Sequence, residues 1–294
     1  MYEREGLLKQ YRYICNSNFN VMTDILEKIQ EAVAYIQKRY PTAPQAGIVL
    51  GSGLGSFTRE MEIEAEIPYS DIPHFPVSTV EGHSGKLIFG KLSGRQIVAM
   101  AGRFHYYEGY SPQEVVFPIR VMKFLGVTHL LLSNAAGGTN VDFKVGDLMM
   151  IKDHVSFFQH NPLIGKNIPE LGTRFPDMSE PYSKALMSKA MAIGKAAGYD
   201  LKTGGYLGVT GPTFETRAEY RMIHLMGADA VGMSTVQEAI AAVHMGMTVF
   251  AMSVITDLGI REEENVITHQ EVLEAAQAAE PKLTHIFKEL VGQL

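Results

Sequence analysis

The residues of this chain that could do chemistry gather in short glycine-rich or polar segments that follow apolar runs. The first is Gly51-Ser52-Gly53-Leu54-Gly55, directly after the run ending at Leu50. Glycines at such a turn let backbone N–H groups approach an anion, and Ser52 adds a hydroxyl donor. A dinucleotide fingerprint, a phosphate loop and a plain strand-to-helix turn compete for this segment. The fingerprint needs a third glycine where Ser56 stands, and no second strand ends in an acidic residue about 20 positions later. The phosphate loop needs a lysine that is absent.

Five further segments share that position after a strand. In Gly102-Arg103-Phe104-His105-Tyr106-Tyr107-Glu108-Gly109, alternation would send Arg103 and His105 the same way, a plausible clamp for an anion beside a sugar. The small residues of Ser133-Asn134-Ala135-Ala136-Gly137-Gly138 expose backbone, as a ligand contact or as a mere bulge. In Gly211-Pro212-Thr213-Phe214-Glu215-Thr216, Glu215 either caps the following helix or accepts from a heterocycle's ring N–H while Phe214 packs on the ring. Gly232-Met233-Ser234 runs into a helix that Ser234 or Thr235 would cap, and a helix N-terminus is also an anion site. Ser253-Val254-Ile255-Thr256-Asp257 closes the set with an acid that could be buried, cap a helix or touch a ligand. Four of the six segments carry anion donors and two carry groups suited to a ring, so one site for an anion plus a heterocycle is the economical reading.

Other chemistries find less support. His154 and His160 lie near each other, but neither His-Glu-x-x-His nor Cys-x-x-Cys spacing occurs, so no metal centre is expected. No Gly-x-Ser-x-Gly elbow with a convincing set of partners marks a serine hydrolase.

The elements that must position these segments are legible as alternating short apolar runs and helical patterns. Strands are expected at Ala46 to Leu50, Leu87 to Gly90, Ile97 to Ala101, His129 to Ser133, Leu148 to Ile151, Tyr206 to Val209, Ala230 to Val231 and Val249 to Ile255. Several are apolar without alternation, as strands covered on both faces are. Capping boxes are expected at Ser111-Pro112-Gln113-Glu114, Thr235-Val236-Gln237-Glu238 and Thr268-His269-Gln270-Glu271. The pattern predicts an α/β fold with a largely parallel or mixed sheet. One domain from Met22 to the end is the simplest division, with residues 1–21 an extension outside the core.

Composition bounds the partners. At 294 residues, 46% hydrophobic and 20% charged, the chain can bury a sizeable core. A net charge of −6 argues against a nucleic-acid binder, which needs a basic face. Cys15 is the single cysteine, so no intramolecular disulfide can form and a reducing compartment is expected. No apolar run reaches the roughly 20 residues of a membrane span, and the charged N-terminal segment lacks the apolar core of a secretory signal, so the expected location is cytoplasmic.

Taken in order, GSGLG, EGHSGKL, GRFHYYEGY, SNAAGG, GPTFET, GADAVGMST and a strand ending ITD before THQEVL resemble the trimeric purine nucleoside phosphorylases over Ala46 to Ala276. The resemblance implies a single α/β domain with a mixed, distorted central sheet surrounded by helices, acting as a homotrimer. It implies phosphorolysis of purine nucleosides, with inorganic phosphate as co-substrate and no cofactor. By motif, Ser52, Arg103, His105, the Ala135 backbone N–H and Ser234 would hold phosphate, with His83 close by. Tyr107, Met233 and His269 would hold the ribose, His269 at its 5′-hydroxyl. Ala136, Phe214, Glu215, Thr256 and Asp257 would grip the base, and His105, Glu215 and Asp257 would be the catalytic groups.

Two positions depart from the pattern. Family members specific for 6-oxopurines usually carry asparagine where this chain has Asp257, whereas relatives that cleave methylthioadenosine carry aspartate. Those same relatives usually lack the glutamate matched by Glu215 and have an apolar residue in place of His269. Glu215 and His269 thus favour inosine and guanosine, and a protonated Asp257 would reconcile them. Leu171 stands near a phenylalanine that reaches the neighbouring subunit's ribose in some relatives, and it is left out of the expected site. The alternatives are a phosphorylase of adenosine or methylthioadenosine, an NAD-dependent dehydrogenase and a nucleoside-binding protein without turnover.

Overall fold

The structure, a computed structural model, describes residues 25–77, 84–157, 160–260 and 267–294. The expected extension, residues 1–21, lies outside them. Helix α1 over residues 25–37 turns Ile29, Ala32 and Ile36 into the core from one face.

The strands are β1 (Ala46–Leu50), β2 (Glu62–Pro68), β3 (Lys86–Leu92), β4 (Arg95–Ala101), β5 (His129–Gly138), β6 (Leu148–Val155), β7 (Leu201–Gly208), β8 (Ala230–Gly232) and β9 (Thr248–Leu258). Each run read as a strand from the sequence coincides with one of these, save that β7 stops at Gly208 before Val209, and β5 and β9 run on through segments expected to be loops. β2 was not expected. It is an edge strand with mostly exposed, glutamate-rich positions, paired among the described residues to β3 alone, so it buries too little to show an apolar run.

The helices that follow are α2 (Pro112–Val115), α3 (Phe117–Leu125), α4 (Lys184–Ala196), α5 (Arg217–Leu225), α6 (Val236–His244) and α7 (His269–Gly292). Boxes at Ser111 with Glu114 and at Thr268 with Glu271 cap α2 and α7 as expected. The box expected at Thr235 is absent: its side chain makes no cap bond. Instead Thr235 Oγ1 accepts from Asn134 Nδ2 at 2.8 Å, and Glu238 turns to Arg103. A buried cation and a buried amide outcompete two helix N–H groups for these side chains.

The nine strands form one mixed sheet in the order β2-β3-β4-β1-β5-β8-β7-β6-β9, with β5 also pairing with β9. That last pairing closes β5, β8, β7, β6 and β9 into a ring, and the remaining strands form a wing on β5. β5 is therefore the shared strand. On one edge it pairs with β9 almost throughout. On the other it pairs in parallel with β1 up to Leu132 and antiparallel with β8 from Gly137. Between those points, residues 133–136 have no strand neighbour on that edge among the described residues. One apolar core includes α1, α3 and α6, and another packs α4 and α7 against β1 and β9.

Candidate active site

The gap in the β5 ladder opens into a cleft. Ligands in α/β folds settle where neighbouring strands diverge, because backbone groups and loop ends are exposed there. Asn134, Ala135, Ala136 and Gly137 line the cleft from β5. Gly51 must be a glycine, since a Cβ there would lie 2.9 Å from both the Asn134 Cα and the Ser133 carbonyl oxygen. Its N–H donates to Ser133 Oγ at 3.2 Å, which pins the Ser52 turn against β5. A 3₁₀ helix, Gly55–Glu60, follows this turn where a dinucleotide site would require an α-helix N-terminus.

One polar cluster centres on Arg103, which is almost fully buried. Its Nε and Nη2 donate to the two carboxylate oxygens of Glu238 at 3.0 and 2.8 Å, a fork that fixes the guanidinium plane. Its Nη1 donates to the Ser133 carbonyl at 2.6 Å and to Ser234 Oγ at 3.2 Å. Beside Ser234, Thr235 has φ 68° and ψ −50°, a γ-turn closed by the Val236 N–H on the Ser234 carbonyl at 2.7 Å, which costs a β-branched residue energy and turns the chain into α6. His105 donates its backbone N–H to Glu108 Oε1 at 2.8 Å, and its Nδ1 lies 3.0 Å from the same oxygen. Burial lowers the His105 pKa, opposed by the Glu108 hydrogen bond, and the ring stacks on Tyr107 with centroids 4.7 Å apart.

A second cluster centres on Asp257 in β9. Tyr220, from α5, donates to Asp257 Oδ2 at 2.9 Å, and the single Thr256 hydroxyl lies between Asp257 Oδ1 at 3.2 Å and the Ala136 carbonyl oxygen at 3.3 Å. Gly137 admits this pair, because a Cβ there would lie 2.8 Å from Tyr220 Oη and 3.0 Å from Asp257 Oδ2. Glu215 lines the cleft and does not cap α5; Thr216 and Glu219 form that capping box. Burial raises the Glu215 pKa, and the negative charges of Asp257 and Glu219 add to the shift.

The cleft brings together Ser52, Arg103, His105, Tyr107, Ala135 and Ala136 with Phe214, Glu215, Met233, Ser234, Thr256, Asp257 and His269. His83 lies outside the described residues. Leu171 is buried in the core of its own chain. Sequence reading missed Glu238, read there as a cap, and missed Tyr220 and Asn134 as site residues. Tyr220 shares a buried face of α5 with Ile223, so its spacing looks like ordinary core, and only its hydroxyl carries a signal. Among the described residues no cluster of His, Cys, Asp and Glu could hold a metal ion, and no helix is long and apolar enough to cross a membrane.

Comparison with known proteins follows the same lines. The family model described as "Phosphorylase superfamily" matches residues 45–292. Purine nucleoside phosphorylase 1 of Geobacillus stearothermophilus is 50% identical over 90% of this chain and 97% of that protein. The rat purine nucleoside phosphorylase is 46% identical over 87% of this chain and 91% of its own length. Among solved structures, the Schistosoma mansoni purine nucleoside phosphorylase in complex with inosine superposes with a TM-score of 0.87 at 40% identity, covering 91% of this chain and 96% of that one. The same schistosome enzyme in complex with adenosine gives 0.87 at 41% identity, covering 91% and 97%. With a family model spanning most of the chain and relatives this similar over nearly their full length, the chain belongs to the phosphorylase superfamily, within the purine nucleoside phosphorylases.

Proposed function

We propose that this enzyme catalyses the reversible phosphorolysis of purine (2′-deoxy)ribonucleosides, with inosine and guanosine preferred, to free base and (deoxy)ribose 1-phosphate. The observation that carries the reading is the joining of an Arg103–Ser234 cluster and a Tyr220–Asp257–Thr256 cluster in one cleft. Phosphate lies beside Ser234 and Arg103, whose guanidinium plane Glu238 holds, and the Ser52 turn and His105 close around it. A nucleoside then lies with its ribose over Tyr107, Met233 and His269 and its base between Phe214 and β9. His83 completes the phosphate set in this reading.

The chemistry follows from that alignment. A phosphate oxygen held below the anomeric carbon attacks C1′ as the C1′–N9 bond breaks through an oxocarbenium-like sugar. The bonding pair leaves with the purine, and the proton that the hydrogen phosphate gives up on becoming an ester balances the one gained at N7, so the base departs neutral. Groups that match this departing base at Glu215, Thr256 and Asp257 stabilise the transition state more than the ground state. Phosphate is the co-substrate, and the reaction involves no net redox change, so we assign no metal or organic cofactor. We also propose a homotrimer in the cytoplasm, supported by the resemblance to the trimeric family and by the lone cysteine.

The test is base release from inosine, guanosine, adenosine and methylthioadenosine, each with and without phosphate. Phosphate-dependent cleavage led by inosine and guanosine is expected. Cleavage that ignores phosphate, or a methylthioadenosine preference, would overturn the respective part of the reading.

A further inference from the structure

Glu280 lies on the buried face of α7 with Ala276, Leu283 and Phe287, and it is only 5% exposed. A carboxyl group at such a core position costs folding energy unless a polar partner offsets it. Among the described residues Glu280 has no ion-pair partner. Its partner is a backbone group distant in sequence: Oε1 accepts the Phe57 N–H at 3.0 Å. Phe57 is the third residue of the 3₁₀ helix Gly55–Glu60, whose N-cap residue, Leu54, makes no side-chain cap bond. The N–H groups of a first helical turn lack partners inside their own helix, and α7 supplies one from outside.

That bond acts on the turn that presents Ser52. Gly53 has φ 75°, and a Cβ there would lie 2.8 Å from the Ala276 Cβ and 3.2 Å from the Leu273 carbonyl oxygen, so α7 backs the turn directly. On the other side of Ser52, Gly51 is pinned to β5 by its bond to Ser133. Leu54 and Phe57 are buried in the same core as α7, which keeps the segment close to the helix but sets no direction. A hydrogen bond does set direction. An exposed ion pair of Lys288 with Glu60, at 2.7 Å, joins the far end of the 3₁₀ helix to α7.

We propose that Glu280 is a positioning residue for the phosphate half of the reaction: by holding the Phe57 N–H it fixes how the 3₁₀ helix leaves the turn, and so where Ser52 and the neighbouring backbone N–H groups stand in the cleft. The inference rests on the phosphorylase reading of the cleft and deepens it. Glu280 is not among the residues that line the cleft, so it acts through the turn. His269, on the same helix, is set by the capping box at Thr268 and does not depend on this bond.

Steady-state kinetics of the full-length enzyme at varied phosphate and varied inosine test this in Glu280→Leu, Glu280→Gln and Lys288→Met, with melting curves alongside. Glu280→Leu leaves the Phe57 N–H without its acceptor. It is expected to raise KM for phosphate about tenfold, the scale of one displaced hydrogen bond to a charged ligand, with KM for inosine within about twofold. Glu280→Gln keeps an acceptor oxygen at the same reach and should bring KM for phosphate back to within about threefold of the unaltered enzyme. Lys288→Met cuts only the exposed pair, which contributes little in water, and should leave both KM values unmoved. A residue that merely supports the core predicts a lower Tm for Glu280→Leu with KM for phosphate unmoved, and that result would overturn the proposal. An equal rise in both KM values, a Glu280→Gln as impaired as Glu280→Leu, or a Lys288→Met that matches Glu280→Leu would overturn it too. If Glu280→Leu does not fold, Glu280→Asp decides: it keeps the carboxylate but withdraws it by about 1.5 Å, one bond length, and an unmoved KM for phosphate contradicts the proposal. Phosphate-dependent base release with an unresponsive KM sinks this inference only. Absence of phosphate-dependent release in the unaltered enzyme sinks the phosphorylase reading as well.

Discussion

Ser234 and Glu215 belong to different clusters of the cleft, and replacing each separates the two halves of the reaction. Ser234→Ala removes one hydroxyl beside Arg103 Nη1. It should raise KM for phosphate about tenfold, the ~1.5 kcal/mol of a hydrogen bond to a charged group, while KM for inosine stays within about twofold. Initial rates at varied phosphate read this directly. Glu215→Ala should instead cripple inosine cleavage, and unchanged inosine kinetics would remove Glu215 from the base contacts. The same residue predicts a pH effect. Burial raises the Glu215 pKa in the folded chain, so its contribution to stability is complete below the ordinary carboxylate pKa and is lost as pH rises through the raised value. Glu215→Gln, which cannot ionise, should therefore raise Tm at neutral pH and lose that advantage in acid. Melting curves at pH 4 and pH 7 check the sign, and a Tm gain that persists in acid would contradict it.

At the scale of elements, α6 and α7 begin with similar sequence patterns and different structures. Thr268 caps α7 through a complete box that sets His269 at the cleft. Thr268→Ala should cost about 1 kcal/mol of stability and raise KM for the nucleoside, with phosphate kinetics unaffected. Thr235 is not a cap, so Thr235→Ala acts otherwise. It leaves the buried Asn134 amide without its hydroxyl acceptor, at about 1–3 kcal/mol, and should disturb phosphate use beside Ser234. Denaturant unfolding of both variants, set beside phosphate and inosine kinetics, distinguishes the two helix starts. These helices also mark what was legible in the sequence. Strands such as β1 and β4 declare themselves as apolar runs because both faces are covered. The box at Thr235 misleads because Thr-x-x-Glu spacing specifies a cap only when no buried partner competes for the side chains, and Arg103, from the loop after β4, and Asn134, from β5, arrive from positions distant in sequence. Tyr220 was illegible for the converse reason: a helix-face tyrosine reads as core until its hydroxyl meets Asp257 from another element.

At the scale of the molecule, several large apolar side chains are left uncovered among the described residues. Phe157 is 82% exposed and Phe175 is 84% exposed, and both border a cavity that also includes Ile164. Apolar surface of this kind, rimmed by polar groups, marks association. The proposed homotrimer predicts that light scattering will return three times the 32.5 kDa chain mass. Phe157→Asp combined with Phe175→Asp should shift the protein towards smaller species. A double variant that keeps the mass of the unaltered protein would place the interface elsewhere.

The shared strand has one more consequence. The Ser133 carbonyl of β5 holds Arg103, and Gly137, four residues along, makes room for Tyr220 and Asp257. At roughly 3.3 Å per residue, that stretch of backbone spans about 13 Å. β5 thus works as a ruler whose two marks are the anion contact and the base contact. The interval between them is set by bond lengths, which no repacking of side chains can stretch. A mutation elsewhere can weaken either mark, but only a change in the residue count of this strand can move one mark away from the other.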